Sequence, residues 1–354
     1  MDDAPATANT TTPGPDRADR ADTYDALVCT HWGDWRELER QRLPRPPLAP
    51  GQVRLRVRHA GVGHAVRLFV AGTYQRRPPL PFTPGTEAAG EVLELAPDVT
   101  HLRVGQRVCA ALDWGAFAEE AVTTAATVYP LPDGLPLARA AALPITYGTV
   151  WSALEWRARL QPGETVLVHG AGGALGLAAV QVARRLGARV IATASTDAKR
   201  AAALANGAWQ ALPADAGALP AAVKALCPDG VDVVFDPVGG ALFDASVRCA
   251  APEGRLLVIG FAGGSIPQVA ANLLLVKNLA VIGFNYGLYI GWGLRDERVR
   301  HAPAVHRVMD QVLGAVARGE MPPPRTEHFP FTDWLAALDT TLSRRSVGKV
   351  VIDF

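Results

Sequence analysis

The chain has 354 residues, 49% of them hydrophobic, and its 35 Lys and Arg offset 34 Asp and Glu to leave a formal net charge of +1. Near-neutrality without a long run of one sign argues against binding nucleic acid or a membrane surface by electrostatics. The length suits two domains with sizeable cores. The longest apolar stretch, residues 269–284, is broken by Asn272, Lys277 and Asn278, short of the roughly 20 apolar residues a membrane-spanning helix needs.

Residues 1–23 are rich in Thr, Pro, Asp and Ala and carry almost nothing to bury, so a disordered tail is predicted there. From 24 to 145 the texture is β. The runs ALVC, QVRLRVRHAGV, GEVLELA, QRVCAAL and AFAEEAVTT are separated by turns such as PRPPLAPG, RRPPLPFTPG and LPDGLP. Short strands at this spacing predict a small barrel-like antiparallel domain. From 146 to 289 the period changes. A helix at 149–159 leads into βαβ repeats, with strands at 231–236, 255–260 and 280–285 and helices at 197–206 and 240–249. This is the pattern of a doubly wound parallel sheet, so the fold class is α/β. A last helix at 302–318 and a strand at 348–352 belong back on the first domain. That domain is then discontinuous, 24–145 with 290–354, around an inserted 146–289. Cys29, Cys109, Cys227 and Cys249 form no C-x-x-C pair and no secretory signal precedes them, so reduced thiols and a cytoplasmic location are expected.

The segment 165–199 is the most informative. TVLVHG reads as a strand, AGGALG as a turn, LAAVQVARRLG as an amphipathic helix closed by Gly187, and ARVIATAS as a second strand. The turn, Ala171-Gly172-Gly173-Ala174-Leu175-Gly176, is a variant of the dinucleotide fingerprint. Gly172 and Gly173 lack a Cβ and let backbone N–H groups approach a pyrophosphate. Gly176 lets helix and strand pack closely, and the helix N-terminus contributes roughly +0.5 of partial charge.

Three stretches, GTYQRRPPLPFTPGTEAAGEV (72–92), VLVHGAGGALGLAAVQVARRLGARVIATAS (166–195) and GFAGGSIPQVAANLLLVKN (260–278), together carry a family likeness. The chain resembles the quinone oxidoreductase branch of the medium-chain dehydrogenase/reductase superfamily, the group that includes zeta-crystallin. The likeness runs from about Leu27 to Phe354. It implies a GroES-like catalytic domain flanking an inserted Rossmann domain. It also implies a homodimer joined through the edge strand at 279–285, and a small-molecule quinone or enone as partner rather than nucleic acid or membrane.

Zinc-dependent relatives place a cysteine where this chain has Gly63, a histidine at Thr86 and a third ligand near Ile145, so no residue is assigned to a metal and no catalytic zinc is expected. The acidic residue with which NAD-preferring relatives hold the ribose is replaced by Ala194. Ser195 and Lys199 match residues that grip a 2′-phosphate, which makes NADPH the expected cofactor. The remaining expected contacts are Thr149, Ala171, Gly172, Gly173, Ala174 and Leu175, with Gly260, Phe261, Phe284 and Asn285 bordering the nicotinamide at strand ends.

Without zinc, something else must steady or protonate the oxyanion formed when hydride reaches an acceptor. Tyr74 in GTYQ matches an active-site tyrosine of the branch. It either donates a proton or only packs at the cleft lip. Tyr147, with Thr146, is a second candidate. The family's G-V-N-x-x-D reads Gly61-Val62-Gly63-His64-Ala65-Val66 here, so the amide and carboxylate are gone, and His64 either relays protons in their place or is a structural histidine. The aromatic residues of 286–292 either pack in the core and interface, as their spacing supports, or reach the cleft from above. The expected activity is zinc-independent, NADPH-dependent reduction of a quinone or other α,β-unsaturated carbonyl. The alternatives are an enoyl or enone reductase of a specialised pathway, or a catalytically idle NADPH-binding protein.

Overall fold

A computed structural model describes residues 22–354. The expected tail lies outside the described residues except for its last two, and Thr23 is already a strand residue, held opposite Pro44. The β-rich lobe begins with a hairpin of β1 (Thr23–Val28) and β2 (Glu39–Pro44). There follow β3 (Gln52–Val62), α1 (Ala65–Val70), β4 (Glu87–Leu95), β5 (Arg107–Ala111), β6 (Glu120–Thr124) and β7 (Val128–Pro130). Two short helices, α2 (Leu137–Ala140) and α3 (Thr146–Ser152), cross to the second lobe.

That lobe alternates strand and helix: β8 (Thr165–Val168), α4 (Ala174–Arg185), β9 (Arg189–Ala194), α5 (Asp197–Ala205), β10 (Gln210–Pro213) and α6 (Leu219–Leu226). It continues through β11 (Val231–Asp236), α7 (Ala241–Cys249), β12 (Ala250–Val258), α8 (Ala271–Lys277) and β13 (Ala280–Gly283). All pairs in this sheet are parallel, in the order β10-β9-β8-β11-β12-β13. Counted within the lobe this is 3-2-1-4-5-6, the Rossmann order, and the strand direction of winding reverses between β8 and β11. A crevice therefore opens at the carboxyl end of β8. The strand sequences explain the two covered faces. Val166, Val168, Val233 and Phe235 point into one layer, and Leu167 and Val234 into the other. Each such side chain contributes about 1.5–3 kcal/mol by leaving water.

The chain then returns through α9 (Arg298–Ala317), β14 (Thr326–Pro330), α10 (Trp334–Leu342) and β15 (Lys349–Asp353). β15 pairs antiparallel with β3 and parallel with β14, giving a seven-stranded sheet ordered β14-β15-β3-β4-β5-β7, with β6 also on β3. Some elements differ from expectation. The helix at 149–159 starts at Thr146 and ends in a π-helical turn, Ala153–Arg157. The strand 255–260 begins at Ala250, five residues early, and is irregular where it pairs with β11. The helix expected from 302 starts at Arg298 and so carries Pro303 inside its second turn, where the missing N–H leaves the Val299 carbonyl without its intrahelical donor.

Candidate dinucleotide cleft

The glycine turn is held both by its own lobe and by the returning chain, which bridges Gly173 through Gly348. Ala171 N–H donates to Thr193 O at 2.9 Å and Gly173 N–H to Gly170 O at 3.0 Å. Beneath the turn the fully buried His169 ring spans Thr193 Oγ1 (2.8 Å) and Ser246 Oγ (2.6 Å), and burial holds its pKa down. The three glycines do different things. A Cβ on Gly176 would run into the Gly170 carbonyl oxygen and Ala171 Cα, backbone atoms that cannot move aside, so Gly176 sets the helix-to-strand approach. A Cβ on Gly173 would meet only the Gly170 carbonyl oxygen, at an ordinary contact distance of 3.7 Å. Gly172 differs: a Cβ there would strike the Lys199 methylenes, so its bareness makes room for that side chain to lie across the turn. Gly173 is also the N-cap of α4 and offers no side chain, which leaves the first-turn N–H groups of Leu175 and Gly176 without a side-chain cap. Ala174 and Leu175 are half-buried and line the crevice with Gly173.

Cations gather beside this helix end. Lys199 Nζ donates to Arg344 O at 2.7 Å, and Arg344 adopts a left-handed φ of 61°. Burial first, and the Arg344 charge second, lower the pKa of Lys199. Among the described residues neither cation is paired with a carboxylate. The segment carrying Arg344 ties the lobes together: Gly348 N–H donates to Gly172 O at 3.1 Å. Sequence reading missed Arg344, which lies 145 positions from Lys199 and has no local motif. Ser195 is exposed at the end of β9, and the Thr196 hydroxyl caps α5 by accepting Lys199 N–H at 3.3 Å. Uncapped donors, a bare Gly173 and two unpaired cations together fit a phosphorylated dinucleotide.

A zinc ion does not fit on the opposite wall. Glu87, 1% exposed, is ion-paired with Lys349 and accepts the Ile145 N–H at 3.1 Å. The carboxylate is thus already neutralised by an ammonium at the place where zinc-dependent relatives put the metal. Cys109 is buried and its thiol is pushed far up by desolvation, with the Glu87 charge adding to it. Open space surrounds Gly63, where a Cβ would find only Lys349 Nζ, 3.9 Å away.

His64 begins α1 without capping it. The residue is exposed; desolvation by neighbouring atoms first, then the charges of Lys349, Arg344, Lys199 and Arg67, lowers its pKa to about 4. It is neutral at pH 7. Tyr74 follows α1, its ring 4.3 Å from Phe69, which meets Trp292 edge-on at 6.3 Å. Burial raises the Tyr74 pKa, with a hydrogen bond to Gln75 opposing. An ionic clamp frames this aromatic lip: Asp113 binds Arg76 at 2.6 Å and the buried Arg298 at 2.9 Å. The clamp also escaped the sequence reading, since its members come from three separate segments.

The other expected residues fall in less direct places. Tyr147 does not face the crevice with its hydroxyl, which donates to Gln181 Oε1 at 2.6 Å within the packed α3–α4 interface. An amphipathic side chain in a helix buried on both sides turns its polar tip to the nearest acceptor, here the buried Gln181. Thr149 is half-buried on α3. Gly260 and the exposed Phe261 follow β12 at its carboxyl end, as strand-end residues should. The Phe284 ring is packed against Tyr289, centroids 5.9 Å apart, so only its backbone reaches the strand end. Asn285 spends its side-chain oxygen on Gly287 N–H at 3.0 Å.

Comparison with known proteins fits this cleft. A family described as "Zinc-binding dehydrogenase" matches residues 174–296, and one described as "Alcohol dehydrogenase GroES-like domain" matches 49–133. Quinone oxidoreductase-like protein 2 of Rattus norvegicus is 38% identical over 331 residues, 93% of this chain and 92% of the relative. A mycobacterial protein solved with NADPH superposes with a TM-score of 0.85 at 29% identity, covering 94% of this chain and 100% of that one. The Thermus thermophilus quinone oxidoreductase, solved alone and with NADPH, gives 0.77 at 36% identity over 93% and 100% of the two chains.

Proposed function

The chain belongs to the quinone oxidoreductase-like branch of the medium-chain dehydrogenase/reductase superfamily, and from that membership we propose an NADPH-dependent reductase of quinones or other α,β-unsaturated carbonyls. The observation that carries the reading is the meeting of Lys199, Arg344 and the uncapped α4 N-terminus, three sources of positive potential without a carboxylate partner. Ala174 and Leu175 N–H groups hold the diphosphate, and Gly173 leaves room for it. Lys199 and Ser195 take the 2′-phosphate, with Lys199 exchanging the Arg344 carbonyl for a phosphate oxygen, which adds an ion pair to the hydrogen bond. Bound there, the nicotinamide supplies the hydride.

The β-rich wall receives the acceptor. The half-buried Tyr74, backed by the buried rings of Phe69 and Trp292, offers flat apolar surface to a conjugated ring or enone. The Tyr74 hydroxyl, kept protonated by its raised pKa, donates to the carbonyl oxygen as negative charge develops on it. Neutral His64 orients water or relays the proton from solvent. The Glu87–Lys349 pair gives no open coordination position, so no step runs through a metal. The space around Gly63 favours a second reading, reduction of a bulkier enone or enoyl thioester. NADPH consumption against a benzoquinone, a small enone and an enoyl thioester separates the two. Tight NADPH binding with no oxidation of it by any acceptor would leave only an idle nucleotide-binding protein.

The same membership supports a homodimer. β13 is an edge of the parallel sheet, and beside it α8 exposes Leu273, Leu275 and Val276. An apolar helix next to an open strand edge is a surface normally covered. Light scattering at micromolar concentration should return twice the 37.4 kDa chain mass, and a monomer would remove this assignment.

A further inference from the structure

Away from the cleft, three neighbouring strands each bring one potential ligand to the same face of the seven-stranded sheet. β15 lies between β14 and β3. Asp353 is directly opposite His59 on β3, and His328 on β14 is opposite Val351, two residues before Asp353. Because side chains alternate along a strand, all three project from one side. Asp353 Oδ1 lies 2.7 Å from His59 Nδ1 and 2.9 Å from His328 Nδ1, with Oδ2 3.1 Å from the latter. Among the described residues this is the one trio of His, Cys, Asp or Glu whose ligand atoms fall within 4.8 Å of one another.

We propose that His59, His328 and Asp353 bind a divalent transition-metal ion of the zinc type, with two imidazole Nδ1 atoms and one carboxylate oxygen as ligands and water completing the sphere. Two nitrogens and one oxygen suit zinc, nickel or cobalt; magnesium and calcium want oxygen throughout. With metal–ligand bonds of about 2.0–2.1 Å, tetrahedral ligand atoms stand roughly 3.3 Å apart. The present hydrogen bonds need to open by only about half an ångström to admit the ion. His328 is exposed and the other two are partly buried, so these side chains have the freedom to do so.

The surroundings already orient one ring. His328 Nε2 lies 2.9 Å from Thr326 Oγ1, which also accepts Arg139 Nη1 at 2.7 Å. With a metal on Nδ1, the proton resides on Nε2 and is donated to the remaining lone pair of that hydroxyl. This is the outer partner that a ligating histidine usually has. Asp353 is four residues along β15 from Lys349, roughly 13 Å at 3.3 Å per residue, so the ion would not touch the acceptor. Its action is structural. It joins the edge strand, the last strand and β3, whose other ends hold Lys349 and Gly348 against the cleft.

The test is zinc titration of the chelator-treated full chain, followed by calorimetry and by thermal unfolding. One equivalent should bind with micromolar affinity and raise the Tm by a few degrees. His59→Ala and His328→Ala should each weaken binding at least tenfold and remove the Tm rise while leaving NADPH affinity unchanged. Should His59→Ala fail to fold, His328→Ala and Asp353→Asn, both changes of accessible groups, carry the same comparison. The cobalt form should show d–d bands without thiolate charge transfer. No binding at tens of micromolar zinc, undiminished binding in the histidine variants, or thiolate bands that place the ion on a cysteine would each overturn the site.

Discussion

The two walls of the cleft are built from different materials. The Rossmann wall presents backbone N–H groups, a helix end and the cations Lys199 and Arg344. The β-rich wall presents rings, one phenol and an ion pair, Glu87–Lys349, whose charges cancel. The first recognises charge, so its affinity should fall with ionic strength and hinge on single residues. The second recognises shape, and its contributions are spread over several contacts. Cofactor and acceptor specificity are therefore separable by mutation.

The largest effect should come from Gly176→Val. Its side chain would meet Gly170 O and Ala171 Cα, so α4 must move. A stability loss of about 1–3 kcal/mol is expected from such overpacking, together with loss of measurable NADPH binding. Cofactor fluorescence titration beside circular dichroism would read both. Wild-type binding by this variant would mean that the turn does not carry the nucleotide. Next is Lys199→Ala. Losing a charge-assisted bond to the 2′-phosphate should cost about 1.5–3 kcal/mol, a roughly 10- to 150-fold weaker NADPH affinity, with NADH nearly unaffected. Equal losses for both nucleotides would move the phosphate elsewhere.

Much of this contrast between walls explains what the sequence could and could not reveal. The turn, its helix and both flanking strands fall within 35 consecutive residues, and each announces itself by period or by glycine. The β3 run QVRLRVRHAGV spans the observed strand, Gln52–Val62. The β-rich wall has no such locality. Glu87 meets Lys349, Asp113 meets Arg298, and His59 meets Asp353 only because β15 returns to β3. No spacing rule links residues so far apart. Tyr147 shows the converse: its place on α3 was legible, while the direction of its hydroxyl depends on Gln181 across a helix interface.

On the β-rich wall, Tyr74→Phe keeps the ring against Phe69 and removes only the proton donor. Turnover should fall by about 10²–10⁴-fold if Tyr74 is the acid, with NADPH affinity unchanged. An unaltered rate would reduce Tyr74 to packing. The smallest effect couples the two walls. His64 titrates at about 4, below its ordinary value near 6.5, partly because Lys349, Arg344 and Lys199 surround it. The unfolded chain thus binds this proton more readily, so His64 disfavours folding increasingly as pH falls from about 6.5 towards 4. NADP⁺ phosphates among those cations should raise the His64 pKa. NMR titration of the imidazole with and without NADP⁺ would show the shift, and no shift would place the phosphates away from this cluster.

The most direct measurement is oxidation of NADPH deuterated at C4 of the nicotinamide by chelator-treated protein, using whichever acceptor turns over. Slower oxidation than with unlabelled NADPH, at a rate that chelation leaves intact, is the expected result. Activity that disappears with the chelator, or that shows no dependence on the C4 hydrogen in single-turnover experiments, would contradict hydride transfer from this cleft without a metal.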